Sequence, residues 1–255
     1  MIIDEQRVKR RFADFIKDYN PDDPKVALKI AHTYRVAELC KQIAASIDMN
    51  EADQQLAWLL GMLHDVGRFE QVRIYHTFID RDSVDHAELG ADFLFKGDRL
   101  IEEFIDSREY DYLIEIAIRS HNKFRIEYLL DGRTECFCHL LRDADKLDIM
   151  RVNYEEPIEG IFETTEELLK KEDISPEAME QIYAHHAITR DACHTNMDHY
   201  LGHVAMAFEL VFPKSRRLCV EMGYLMKLFD FKSDNPKTAE ALEATKKEIL
   251  SVLES

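Results

Sequence analysis

The sequence has few of the residues that make turns. Its 255 residues include eight glycines and six prolines, and glycine is thus about 3% of the chain against a usual ~7%. This shortage argues against a fold of many hairpins and favours helices. The five cysteines are odd in number and contain no CxxC pair, which is typical of reduced thiols and not of a disulfide framework.

Positive charge is also scarce. The chain has 33 Lys and Arg against 50 Asp and Glu, a formal net charge of −17. Such a chain repels polynucleotide phosphates at long range, so we expect no DNA or RNA partner, although a local pocket still allows a small phosphorylated metabolite. No apolar run approaches the ~18 residues of a membrane span, and no apolar leader follows Met1. We therefore expect a cytoplasmic protein without a membrane partner.

Apolar residues recur at helical spacing along almost the whole chain. The helix expected from about Val26 to Ile47 is apolar on more than one side, which predicts a position inside a bundle. The next helix is expected to end at a Gly67 cap, and another to run from a Ser83 cap to Phe95. Further helices are expected over 98–107, 110–121, 134–150, after Ser175-Pro176, and over 194–212, 214–230 and 237–253, with a loop over 153–160. We predict an all-α fold, with a helical bundle over 1–151 and a helical extension over 152–255 packed on the same core.

Histidines and aspartates occur where core residues are expected. His64 and Asp65 end the most apolar helix, His32 lies in the predicted buried helix, and Asp143 lies on an apolar helix face. A buried carboxylate is costly unless it is paired or coordinated. Two imidazoles and two carboxylates suit a transition metal that keeps one position open for water.

This ordered set resembles the H…HD…D pattern of the HD-domain metal-dependent phosphohydrolase superfamily. The surrounding words also match: HTYRV from His32, LHDVGR around His64-Asp65, and DADKLD from Asp143. The resemblance covers roughly residues 25–150. It implies that the bundle is an HD-domain helical bundle, with residues 152–255 as its helical C-terminal extension.

Two further histidines, His86 and His121, lie between the HD pair and Asp143, where family members with two metals place extra ligands. The resemblance therefore implies two divalent transition metal ions that share Asp65. The implied ligands are His32, His64, Asp65 and Asp143 for one ion, and Asp65, His86 and His121 for the other. Such donors suit iron, manganese, zinc, cobalt or nickel.

The chemistry implied is phosphoryl transfer to water. A water between two such ions loses a proton near neutral pH and is placed for in-line attack on phosphorus. We expect Asp65 at the catalytic centre, with Arg68 and Lys123 orienting the substrate phosphate. Asp145 and Asp148 are expected to orient ligands or to pair with arginines, and not to bind metal directly. The sequence thus predicts a phosphohydrolase that cleaves an ester or anhydride of a small, nucleotide-like phosphorylated molecule.

Two other functions are compatible with the same residues. A few relatives of this fold activate oxygen with a mixed-valent di-iron centre, and ligand count alone does not separate that oxygenase from a hydrolase. The non-enzymatic alternative is a metal-stabilised scaffold whose 152–255 extension binds a protein partner, although a purely structural site would keep no open coordination position. An apolar stripe there indicates either core or the face of a homodimer; it comprises Met222, Leu225, Met226 and Phe229.

Two other patterns suggest metal sites only superficially. His199 and His203 are four residues apart, but no glutamate completes an HExxH word, so we interpret them as packing or hydrogen-bonding residues. The run from Cys136 to His139 starts the Asp143 helix, and its apolar neighbours indicate core packing.

Overall fold

The computed structural model describes residues 3–126, 129–162 and 164–254. These ranges form helices joined by short loops, with no strand among them, which confirms the predicted all-α class. None of the helices in the described ranges is long and apolar enough to cross a bilayer. The chain divides into two compact units, Met1–Asp145 and Lys146–Ser255.

The first unit is built around α2, which is buried on several sides as its sequence predicts. Large aromatic side chains fill the rest of its core, among them Phe12, Trp58, Phe69 and Phe137. The helices of this unit are α1 (Glu5–Phe15), α2 (Pro24–Ser46), α3 (Glu51–Leu63), α4 (Val66–Tyr75), α5 (His86–Phe95), α6 (Ile101–Phe104), α7 (Asp111–Ser120) and the first part of α8 (Gly132–Glu155).

Helix α3 lies unusually close to α2 because of one glycine. A Cβ atom on Gly61 would lie 2.4 Å from the Cα atom of Ala37 on α2, a distance that no side chain could accept. The HD pair directly follows α3, and His32 lies on α2. The close approach at Gly61 therefore determines how near these side chains come to one another.

A second close approach brings α4 against α5. A Cβ atom on Gly67 would lie 2.2 Å from the carbonyl oxygen of His86, and one on Gly90 would lie 3.0 Å from the Gly67 amide nitrogen. The predicted Gly67 cap is wrong, because α3 ends at Leu63 and Gly67 lies in the first turn of α4. Gly67 is instead the point at which the start of α5 contacts the residues after the HD pair.

The start of α5 is set by Asp85 and not by Ser83. The Asp85 carboxylate accepts hydrogen bonds from the amides of Ala87 and Glu88, as an N-cap does. The Ser83 hydroxyl instead donates to the Ile79 carbonyl, so the predicted Ser83 cap is wrong. The shift makes His86 the first residue of the helix.

The second unit has a small core of its own, formed by Ile182, Leu201, Ala205 and Leu242. Ser175 caps α11 as predicted, but the helix expected over 214–230 is interrupted at Gly223, where φ is +73°. The predicted loop over 153–160 is partly helical. The helices here are the end of α8, α9 (Ile158–Ile161), α10 (Glu166–Leu169), α11 (Pro176–Tyr183), α12 (Asn196–Ala205), α13 (Pro213–Met222), α14 (Tyr224–Leu228) and α15 (Pro236–Leu253).

Substitution of Gly61 tests the approach of α2 and α3. Gly61→Ala places a methyl group against the Ala37 backbone and should lower the free energy of unfolding by about 3 kcal/mol, measured by urea denaturation. Gly132→Ala is the matched control, since a Cβ there meets nothing within 4 Å. Equal effects of the two substitutions would contradict the close approach.

The second unit should lose stability in mild acid through His203. Its Nδ1 donates to Asn153 Oδ1 at 2.7 Å, and burial, with a smaller effect of His199, lowers its pKa to about 4. In the unfolded chain this pKa is ~6.5, so between these values the unfolded chain binds the proton more readily. Stability is therefore complete above pH 6.5 and falls towards pH 4, by about 2 kcal/mol after allowance for partial exposure.

The measurement is urea denaturation at pH 7 and pH 4.5, in the wild type and in His203→Gln. Glutamine keeps a donor for Asn153 but does not ionise in this range. The variant should show a smaller loss between the two pH values. An identical pH dependence in both proteins would rule out His203 as the cause.

Candidate metal centre

Four histidines and two aspartates converge inside the first unit, and each is at most 9% exposed. They come from different elements, most of them at or next to helix ends, where side chains can leave the helical path. Within three groups, potential ligand atoms all lie within 4.8 Å of one another. These groups are His32, His64 and Asp65; His64, His121 and Asp145; and Asp65, His86 and His121.

The imidazoles of His86 and His121 are oriented as two ligands of one cation would be. His121 Nδ1 donates to the Ile118 carbonyl at 2.7 Å, and His86 Nδ1 donates to the Asp80 carboxylate at 2.8 Å. Each proton is therefore on Nδ1, and each Nε2 carries a lone pair. These two Nε2 atoms face one another at 3.0 Å, close to the separation of two ligands that lie about 2.1 Å from one ion at a right angle. Without a shared cation, two lone pairs would repel at this distance.

A second set lies on the other side of Asp65. His64 Nδ1 donates to the Gly61 carbonyl at 2.7 Å, so its Nε2 is also an acceptor. This atom lies 3.2 Å from Nε2 of His32. The Asp145 carboxylate lies 3.1 Å from the same atom of His32 and 3.7 Å from that of His64. Two imidazoles and a carboxylate thus face a common point.

Asp65 lies between the two sets, with one carboxylate oxygen towards each. Its Oδ2 lies 3.5 Å from Nε2 of both His32 and His64. Its Oδ1 lies 3.5 Å from Nε2 of His86 and 3.6 Å from Nε2 of His121. One carboxylate oxygen therefore faces each pair of imidazoles, the arrangement expected of a bridging ligand.

The protonation states are those that metal ligands need. Burial lowers the pKa of His64 to about 4 and that of His86 to about 3, so both imidazoles are neutral at pH 7. Burial opposes ionisation of Asp65, but the Lys29 ammonium, the largest opposing influence, holds its pKa well below its usual range. Burial acts likewise on Asp145, but a hydrogen bond with His32 is the largest of several effects that together lower its pKa.

The structure places Asp145, and not Asp143, with the histidines. Among the described residues, no candidate ligand group includes Asp143. Successive residues of a helix are rotated by ~100°, so the side chains of Asp143 and Asp145 point in directions about 200° apart. Asp143 is fully buried. The pKa of the Cys40 thiol is raised mainly by the burial of that thiol, next by the charge of Asp145, and then by the charge of Asp143. Because α8 is buried on several sides, an apolar face does not identify the side that meets the histidines. We therefore transfer the ligand role proposed for Asp143 to Asp145.

The two cations expected to bind phosphate have protein partners. Arg68 Nη1 donates to Asp80 Oδ1 at 2.8 Å and to the Phe78 carbonyl at 2.6 Å, and through Asp80 it supports His86. Its Nε has no hydrogen-bond acceptor in the described structure and lies 3.9 Å from Asp65 Oδ1. Lys123 forms an ion pair with Asp85, and its side chain is 31% exposed.

Two residues at the centre escape the sequence analysis. Lys29 Nζ lies 2.7 Å from Asp65 Oδ2, and Asp80 orients His86. Lys29 comes three residues before His32, so helical spacing alone places it on the same face of α2. Asp80 lies in a short 3₁₀ turn, where no periodic pattern could identify it.

The patterns set aside in the sequence take no part in this cluster. Among the described residues, no candidate ligand group contains His199, His203 or a cysteine. His203 forms the predicted hydrogen bond, to Asn153. Asp148 accepts a hydrogen bond from Arg151.

Metal binding by two variants of α8 tests the ligand assignment. Asp145→Asn should weaken Mn²⁺ binding at least tenfold, because it removes a charged donor that faces His32 and His64. Asp143→Asn makes the same chemical change two residues away and should keep the affinity within threefold. Isothermal titration calorimetry of folded, metal-free protein measures both. The reverse order of effects would restore Asp143 as the ligand.

Comparison with known families agrees with this geometry. Residues 30–150 match the family model of the HD domain, and this span contains all six clustered residues. No curated protein and no solved structure matches the chain significantly. The match assigns residues 30–150, just under half of the 255-residue chain, to the HD-domain family of metal-dependent hydrolases.

Proposed function

We propose that the protein is a phosphohydrolase that uses two divalent transition metal ions to cleave a phosphate ester or anhydride of a small, nucleotide-like molecule. The single observation that carries the proposal is the position of Asp65, with one carboxylate oxygen towards each pair of imidazoles. A structural metal site has no need of a second ligand set that shares a carboxylate. A paired site is suited to holding both the attacking and the leaving oxygen of a displacement.

The donor types fit such ions. One set would comprise His32, His64, Asp65 and Asp145, and the other Asp65, His86 and His121. Imidazole and carboxylate donors suit iron, manganese, zinc, cobalt or nickel. The second set offers only three protein ligands among the described residues, which leaves positions for water and substrate oxygens. When bound, a pair of divalent ions lowers the pKa of a shared water and polarises a phosphoryl oxygen.

Protein cations beside Asp65 support an anionic substrate. The Lys29 ammonium lies 5.4 Å from the centre of the Phe78 ring, and the Arg68 guanidinium lies 5.6 Å from it. Both groups also lie near Asp65, and the unpaired Nε of Arg68 is free to donate. We assign Lys29 and Arg68 the orientation of the substrate phosphate. Lys123 pairs with Asp85 and Glu88, neither of which belongs to the two ligand sets, so we assign it no direct contact.

Loss of Asp65 tests the function. Purified protein, analysed for bound metal and loaded with Mn²⁺ or Fe²⁺, is assayed for phosphate release from a panel of nucleotides and other phosphoesters. Asp65→Ala removes the shared ligand and should reduce release by at least about 10³-fold. Asp92→Ala removes a half-buried carboxylate of the same unit that pairs with Arg119 and should leave the rate unchanged.

Anaerobic assays separate the hydrolase from the oxygenase alternative. Hydrolysis consumes water only, so the rate should be the same with and without oxygen. Full activity in Asp65→Ala would contradict the site, and turnover that requires iron and consumes oxygen would favour the oxygenase.

In the same assay, Lys29→Met should raise KM more than it lowers kcat, because it removes a charge that contacts the substrate phosphate.

A further inference from the structure

We propose that Arg142 is a positioning residue that holds His121 in place for the second metal ion. The inference rests on the two-ion function proposed above and adds a residue to it. Arg142 is only 7% exposed and lies on α8, three residues before Asp145. One helix would thus supply a ligand to the first ion and support a ligand of the second.

The Arg142 guanidinium donates hydrogen bonds to backbone carbonyl groups at and just after the end of α7. Nη1 donates to the Ser120 carbonyl at 2.7 Å and to that of Lys123, and Nη2 donates to the Phe124 carbonyl at 3.1 Å. The His121 carbonyl lies 3.5 Å from Nη1. The last carbonyls of a helix have no partner within the helix. Arg142 therefore satisfies acceptors at the point where the chain leaves α7.

The contacts of Arg142 affect the position of His121 more than that of any other proposed ligand. His121 follows the last residue of α7, and residues 121–126 are not helical, so their path depends on contacts made by side chains. The imidazole is already fixed to Ile118 through Nδ1, and its Nε2 must meet that of His86. A shift of the 120–124 backbone would move this Nε2 away from His86 and Asp65.

The other set is supported differently. His32 lies in the middle of α2, and Asp145 lies within α8, where continuous helical hydrogen bonds hold the backbone. His64 and Asp65 lie between α3 and α4, and the Arg142 contacts named above do not include them. Loss of the Arg142 guanidinium should therefore weaken the ion on His86 and His121 selectively. A role in general stability would affect both ions alike.

Arginine is needed at this position because of its shape. The guanidinium is a planar fork with five N–H donors, so one group can bind several carbonyls at once. Lysine offers a single ammonium on a flexible stem and cannot reproduce the fork. Arg142→Lys should thus keep the charge and most of the packing but only part of the clamp.

The experiment measures metal binding and not activity. Co²⁺ is added to metal-free wild type, Arg142→Met and Arg133→Met after circular dichroism has checked that each is folded. Binding is followed by calorimetry and by the visible spectrum of bound Co²⁺. The wild type should bind two ions. Arg142→Met should bind the first with wild-type affinity and the second at least tenfold more weakly. Arg133 lies on the same helix and pairs with Asp53, so its variant should bind both ions normally.

The outcomes separate this inference from the proposed function. If the wild type binds fewer than two ions, the two-ion function fails and the role of Arg142 fails with it. If the wild type binds two ions and Arg142→Met binds both within threefold of the wild-type affinities, only the role of Arg142 is wrong. Equal weakening of both ions would also overturn it. If Arg142→Met does not fold, Arg142→Lys is judged by the same selective loss of the second ion.

Discussion

A buried carboxylate surrounded by four imidazoles is the interaction on which the first unit depends. Asp65 is only 2% exposed, and an ionised carboxylate in that position is strongly destabilising unless cations or hydrogen bonds compensate it. The structure supplies Lys29 at 2.7 Å and imidazoles on both sides. Divalent ions would compensate the same charge more completely, and the neutral histidines are in the state that permits this.

The residues that create this centre include several that carry no chemistry. Gly61 brings α3 against α2 and Gly67 brings α4 against α5, each so closely that a single methyl group would separate the two helices. Backbone carbonyls of Gly61 and Ile118 hold the Nδ1 protons of His64 and His121, and so direct both Nε2 lone pairs inward. Helix packing and the orientation of the proposed ligands therefore depend on the same atoms, because the Gly61 backbone both contacts α2 and fixes the tautomer of His64.

The two ligand sets differ in how they are held. Regular helical backbone supports His32 and Asp145, whereas His86 and His121 lie at helix ends and rely on Asp80 and Arg142. Supporting groups of this kind commonly change metal affinity by 10–100-fold. The position of the second set is thus controlled by side chains that are not themselves ligands. Changes in those side chains could adjust metal affinity or metal choice without altering a ligand.

The sequence by itself determined the helical class and the order H…HD…D, because periodicity and adjacency are properties of the chain alone. Its resemblance to the HD-domain superfamily also implied His86 and His121 as candidates, since both lie between the HD pair and Asp143, where family members with two metals place extra ligands. Only the tertiary structure decided between Asp143 and Asp145, because α8 is buried on several sides and its pattern does not mark the side that faces the histidines. Likewise, Asp80 and Arg142 act through contacts with residues distant in sequence, and no local pattern encodes a contact that arises only when separate helices pack together.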